Sequence, residues 1–258
     1  MINLIIRTVG KLSPSLGGLD RRILGRLGPW FKLGNARSEP WVAGNGFLLS
    51  GETSNLSYIA GTSERHMLNK LVELIPNAGL VVDVGANVGY VALYCAHAAL
   101  RKNLGCKLYA LEPEPGTYQR LVRNLELNKY PVTPVNSAAG CEVGEAKIYS
   151  KGTGDGAASL DVREGEGVEE ISINVTTLDK IFLSQDKPAK LVIIDVEGFG
   201  GEVVEGARGL IERDRPHFCI EIHDNEEFSK INAVLKAEGY RGELFIDDVW
   251  GKHYLWSP

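Results

Sequence analysis

Short runs of leucine, valine and isoleucine alternate along the chain with longer stretches whose apolar residues recur every three or four positions. The clearest run is Leu80 to Val84, apolar except for Asp83. Its valine content fits a parallel strand covered on both faces. It stops at Gly85-Ala86-Asn87-Val88-Gly89, and Val91 to Leu100 then reads as a helix packed on the sheet. The alternation repeats downstream. Cys106 to Leu111, Val132 to Val135, Lys190 to Ile194 and Phe218 to Ile222 read as strands. Pro115 to Asn128, Glu202 to Ile211 and Phe228 to Glu238 read as helices, the first with proline in its opening turn. Tyr240 to Trp256 supplies a final strand pair. Strands alternating with helices specify a mostly parallel sheet with helices on both faces.

The amino-terminal part is less regular. Residues 1–40 are punctuated by glycine and show no period. Trp41 to Leu49 and Leu56 to Ile59 read as short strands joined by a polar turn, a small antiparallel cover. Ser63 is placed to cap a helix whose apolar stripe is Met67, Leu68, Leu71, Val72 and Ile75. The expected organisation is an extension with a β cover over residues 1–55 and an α/β domain over 56–258. Lys147 to Tyr149 and Ile171 to Val175 read as β segments flanking a glycine-rich acidic loop, 152–170, a substrate lid or a mobile connection. Thr176-Thr177-Leu178-Asp179 opens a short helix.

Composition narrows the class. The chain has 258 residues, a net charge of -5 and a pI near 5.6, which gives no electrostatic footprint for nucleic acid. Cys95, Cys106, Cys141 and Cys219 show no paired spacing and read as reduced thiols of a cytoplasmic protein. No apolar run is long enough to span a bilayer, and Met1 to Ile6 is too short for a signal core. Residues 1–40 are locally basic, with Trp30 and Phe31 among the charges. A loosely ordered lead-in is favoured there over peripheral membrane contact.

The candidate chemistry begins at the turn after Val84. A strand, a glycine turn and a helix amino end form a nucleotide-sized cradle. A dinucleotide fold wants G-x-G-x-x-G. Here Asp83, Gly85 and Gly89 give D-x-G-x-x-x-G, with Ala86-Asn87 in place of the middle glycine. An acid at the strand tip repels a pyrophosphate and suits the amine and sulfonium of S-adenosylmethionine. Glu112, followed by Pro113 at the tip of the next strand, is the candidate ribose ligand. Asn136, Ser137 and Ala138 leave room for an adenine ring. Glu64 is a candidate for the methionine end. Asp195 and Glu197 follow another parallel strand, and alternation puts Glu221 and His223 on one face. Asp195, Glu197 and His223 are the candidate bases, with His223 best suited near neutral pH. Asp195 is also a candidate cofactor contact. Asp195, Glu197, Glu221 and His223 are acceptable magnesium ligands, but no dedicated ligand spacing appears and no metal is expected.

With these residues laid out, the chain resembles the FkbM family of S-adenosylmethionine-dependent methyltransferases. The matching pieces are Gly61 to Glu64, Asp83 to Gly89, Leu111 to Pro115 with Asn124 and Asn128, Thr176 to Asp179, and Ile194 to Gly198 with Gly206-Ala207. Pro216 and Glu221-Ile222 complete the series. The resemblance implies a class I, Rossmann-like fold: a seven-stranded sheet with its last strand antiparallel. It also implies O-methylation of a sugar, glycan or secondary-metabolite hydroxyl by in-line displacement. One departure is Gly200-Gly201, where the family usually carries a glutamate after Gly198-Phe199. The alternatives are a non-catalytic adenosylmethionine-binding module and a nitrogen- or carboxyl-directed methyltransferase. The sequence names neither the acceptor nor the oligomeric state.

Overall fold

The computed structural model describes residues 41–42, 47–49, 64–150, 169–247 and 251–258. The basic lead-in, the Leu56–Ile59 strand, the Ser63 cap and most of the acidic loop lie outside the described residues.

Two short strands, β1 (Trp41–Val42) and β2 (Leu48–Leu49), pair antiparallel ahead of helix α1 (Arg65–Leu74). The expected single strand from Trp41 to Leu49 is therefore two strands that turn back on each other. Strand β3 (Leu80–Val84) leads into α2 (Tyr90–Arg101), and β4 (Lys107–Leu111) into α3 (Pro115–Asn128). After β5 (Val132–Val135) come β6 (Ala138–Ala139), β7 (Gly144–Ser150) and β8 (Glu169–Thr176). Next are α4 (Leu178–Phe182), β9 (Ala189–Ile194), α5 (Gly200–Glu205) and α6 (Arg208–Asp214). The chain ends with β10 (His217–Glu221), α7 (Asn225–Ala237), β11 (Arg241–Asp247) and β12 (Lys252–Ser257).

The main sheet has seven strands in the order β11-β12-β10-β9-β3-β4-β5. Only β12 runs antiparallel to its neighbours. The register aligns the carboxyl ends of the central strands. Val84 pairs with both Leu111 and Ile194, Leu111 with Val135, and Ile194 with Ile220. Gly85, Glu112, Asn136, Asp195 and Glu221 thus emerge along one edge. In an open α/β sheet this is the edge that binds ligands, because the loops there leave the sheet toward helix amino ends.

Alternation along each strand sends side chains to two cores. Val81, Leu108, Leu191 and Cys219 pack with Leu68, Leu71, Leu93 and Leu121 on one face. Leu80, Val82, Val192 and Phe218 pack with Phe182, Val203, Leu210, Ile231 and Trp256 on the other. Both layers must be covered, which is why β3 is buried at all five positions.

Three boundaries differ from the sequence expectation. The stretch from Glu202 to Ile211 is not one helix but breaks at Gly206-Ala207 between α5 and α6. A Cβ on Gly206 would lie 2.0 Å from the Gly140 carbonyl oxygen, so the chain bends where another loop presses on it. Helix α7 starts at Asn225, ahead of its apolar stripe, because the Asp224 carboxylate accepts the Glu226 and Glu227 amides. Ala138–Ala139 is not a bare strand end but a short strand pairing parallel with β8, in a separate three-stranded sheet with β7.

Candidate active site at the carboxyl edge of the sheet

The turn after β3 is shaped by two left-handed glycines. Gly85 has φ +84°, and a Cβ there would fall 1.8 Å from the Asp195 carbonyl oxygen. Gly89, at φ +89°, would meet the Leu121 side chain at 2.6 Å. Both glycines make room for protein, one for the loop after β9 and one for α3. Asn87 sits between them at φ +50° and donates its amide to Glu112 Oε2 at 2.9 Å.

Glu112 is therefore built into the cradle. Its other oxygen accepts the Glu114 amide at 2.9 Å, and only 7% of the residue is exposed. Burial, outweighing these two hydrogen bonds, pushes its carboxyl up to about 7. Each oxygen keeps a lone pair for a further donor. Asn136 donates to the Glu112 and Pro113 carbonyls, at 2.9 and 3.1 Å, and holds the strand tips together. The Ser137 hydroxyl lies 3.0 Å from the Asn174 and Ala138 carbonyls, so this buried side chain ties β5 to β8.

Asp83 is 4% exposed, and its Oδ2 has no hydrogen-bond partner among the described residues. Burial first, then the nearby Asp195 charge, raises its carboxyl to about 7. A buried acceptor left unpaired is costly unless a ligand answers it. Glu64 stands at the amino end of α1 with φ +50°, and its charge adds, after burial and the Glu221 charge, to the rise of the Cys219 thiol in β10.

Beside this cradle lies a second group. Asp195, Glu221 and His223 bring ligand-type atoms within 4.8 Å of one another. His223 Nε2 lies 3.9 Å from both Asp195 Oδ1 and Glu197 Oε2. Burial and the Glu221 charge push the Asp195 carboxyl up to about 7, although its side chain still reaches water. The hydrogen bond to Glu227, reinforced by Asp195, Glu221 and Glu197, raises His223 to about 9. The imidazole is thus charged at neutral pH, and Asp195 is the group poised there. One divalent cation would fit among the Asp195, Glu221 and His223 atoms. Glu197, at φ +30°, does not cap α5, whose first amide bonds to Glu227 instead.

Two members of this group escaped the sequence reading. Glu227 was hidden in the polar face of α7; its D-x-x-E spacing from Asp224 was the available signal. His253 pairs in register with Glu221 across β12 and β10, and its Nε2 lies 3.4 Å from Glu221 Oε2. That contact depends on which strand joins the sheet edge, which spacing alone does not reveal. Other motif residues are structural. Thr177 caps α4, and Asp179 accepts the Gly209 and Leu210 amides of α6 at 2.8 and 2.7 Å. Asn128 bonds both backbone groups of Leu48, tying β2 to α3.

Residues 83–241, most of this architecture, match the methyltransferase FkbM domain. The chain belongs to the FkbM methyltransferase domain family. The chain is 24% identical over 182 residues to the hexuronic acid methyltransferase AglP of Haloferax volcanii, an alignment that covers 70% of this chain and 71% of that protein. Among solved structures, methyltransferase FkbM from Methylobacillus flagellatus KT superposes with a TM-score of 0.53 at 18% identity. That match covers 79% of this chain and 53% of the other, so the chain spans about half the length of the solved relative. The likeness establishes the class I methyltransferase fold, with its seven-stranded sheet.

Proposed function

We propose that this FkbM domain transfers a methyl group from S-adenosylmethionine to a hydroxyl of a sugar or related acceptor. The observation that carries the reading is the buried Asp83 Oδ2, without a hydrogen-bond partner among the described residues, on the strand that leads into the glycine turn, while the acid at the next strand tip, Glu112, is fixed by backbone amides. Two buried carboxyls held near 7 favour a cationic ligand over a diphosphate.

S-adenosylmethionine supplies an electrophilic methyl group on a sulfonium. In this reading Glu112 accepts from the ribose hydroxyls, and Asp83 answers the positive charge of the cofactor. Gly85, Ala86, Asn87 and Gly89 form the floor of the cradle. Asn136, Ser137 and Ala138, with Pro113, edge the adenine side, and Glu64 lies toward the methionine end. Asp195 takes the proton from the acceptor hydroxyl, since its carboxyl exchanges protons near neutral pH. His223 stays charged beside it and stabilises the carboxylate. Orienting the acceptor in the cleft supplies much of the remaining rate.

A sugar acceptor is supported by the hexuronic acid methyltransferase relative. A hexuronic acid offers both hydroxyls and a carboxylate. The Asp195, Glu197 and Glu221 side chains around the cleft repel a carboxylate, so the hydroxyl is favoured. The test joins calorimetry with product analysis. Asp83→Ala and Glu112→Ala are expected to weaken S-adenosylhomocysteine binding about tenfold or more. Asp195→Asn is expected to leave that binding intact and to slow transfer of labelled methyl to glycan precursors about a hundredfold. A cradle that binds NADH but not S-adenosylhomocysteine would overturn the cofactor, and a label released by mild alkali would show an ester instead of an ether.

A further inference from the structure

Glu227 is only 3% exposed, which is unusual for a glutamate without a fixed partner. It has three partners. Its Oε1 accepts the Gly200 amide at 2.9 Å, and its Oε2 accepts the His223 amide at 2.9 Å. The same Oε2 lies 3.5 Å from His223 Nδ1. One carboxylate therefore joins the start of α5, the turn after β10 and the imidazole ring.

The surrounding backbone is arranged around this carboxylate. Asp224 accepts the Glu227 amide at 2.8 Å and sets the first turn of α7. A Cβ on Gly200 would lie 2.8 Å from Glu227 Oε1 and 3.1 Å from Ile231. Glycine at position 200 leaves the space that Glu227 Oε1 occupies.

We infer that Glu227 is a positioning residue for His223: it holds the backbone and Nδ1 of that histidine together, so that Nε2 faces Asp195 and Glu197. This rests on the proposed role of the Asp195–His223 group. The groups facing the ring are Asp195 and Glu197 after β9, Glu221 at the end of β10 and Glu227 in α7, with His253 of β12 behind Glu221. Among the acids of the described residues, Glu227 alone contacts Nδ1. It therefore selects which nitrogen keeps its proton when the ring becomes neutral. A carboxylate on Nδ1–H also favours the charged ring.

Nuclear magnetic resonance of imidazole-labelled protein tests this without an acceptor. In the unaltered chain, titrated to the neutral form of His223, the nitrogen shifts are expected to show the Nδ1–H tautomer. In Glu227→Gln, which keeps an oxygen for the Gly200 amide, the His223 midpoint is expected to fall by about one pH unit or more. Glu227→Asp is expected to recover part of that shift. An Nε2–H tautomer in the unaltered chain, or an unmoved midpoint in a folded Glu227→Gln protein, overturns the assignment. Full turnover by His223→Ala would instead remove the catalytic reading and leave the tautomer result standing.

Discussion

Gly85 shows how closely two strand tips approach at the cradle. Its left-handed φ is strained for any other residue, and an added methyl would collide with the Asp195 backbone. Gly85→Ala is therefore expected to cost about 3 kcal/mol or more, read as a lower urea midpoint at unchanged m-value. Gly198 is a useful contrast, because at φ +90° it has nothing within 4 Å of an added Cβ. There the cost is conformational alone, so Gly198→Ala is expected to be the milder change. The acids around Gly85 were legible in the sequence as strand-tip residues. Their state was not. Asp83 and Asp195 approach each other because β3 and β9 are neighbours, and that adjacency adds to the burial that raises the Asp83 carboxyl.

At the scale of elements, the helices were read well where an apolar stripe and a local cap coincide. Pro115 to Asn128 is such a case, with Glu114 accepting the Gly116 and Thr117 amides at its start. The reading failed where a partner distant in sequence sets the boundary. Helices α5 and α6 carry a continuous apolar pattern, yet the Gly140 loop separates them. Asp179 then supplies the acceptors that α6 needs at its amino end. Asp179→Ala leaves two amides without those acceptors and is expected to cost about 2 kcal/mol in chemical denaturation. Binding of S-adenosylhomocysteine should be unchanged while the protein stays folded, since the Asp179 carboxylate is taken up by the amides of α6. A loss of affinity matching that of Glu112→Ala would show that the motif does more than hold a helix.

Across the whole molecule, the buried acids set the direction of the pH dependence. Asp83 and Glu112 titrate near 7 in the folded chain, against ordinary values of 3.8 and 4.5. Between those limits the folded state holds more protons than the unfolded one, so stability falls as pH rises. His223 acts in the same sense at higher pH. Its folded value near 9 lies above 6.5, so its contribution is present below 6.5 and lost as pH rises through 9. Glu227 and Asp214 are held below their usual range by the bonds they accept, and they lose stabilising charge only at acid pH. Thermal or urea unfolding is expected to show the protein more stable at pH 5.5 than at pH 8, by roughly 2 kcal/mol or more. S-adenosylmethionine should reduce the difference, because a cation beside Asp83 favours its ionised form. A stability that rises through this window would mean that the acids are not buried as described.

Periodicity and turn chemistry determined the order of strands and helices, the mostly parallel sheet and the strand tips that carry its acids. These are local properties: apolar spacing decides which face is covered, and glycine or proline decides where the chain turns. Tertiary structure alone decided that Glu227 and His253 join the acids at those tips, and that Asp179 serves a helix it does not belong to. Such contacts come from strand order and helix docking, which bring together groups far apart along the chain. The charges follow the same division. The sequence places the carboxylates, and their enclosure beside one another decides which of them hold protons at neutral pH.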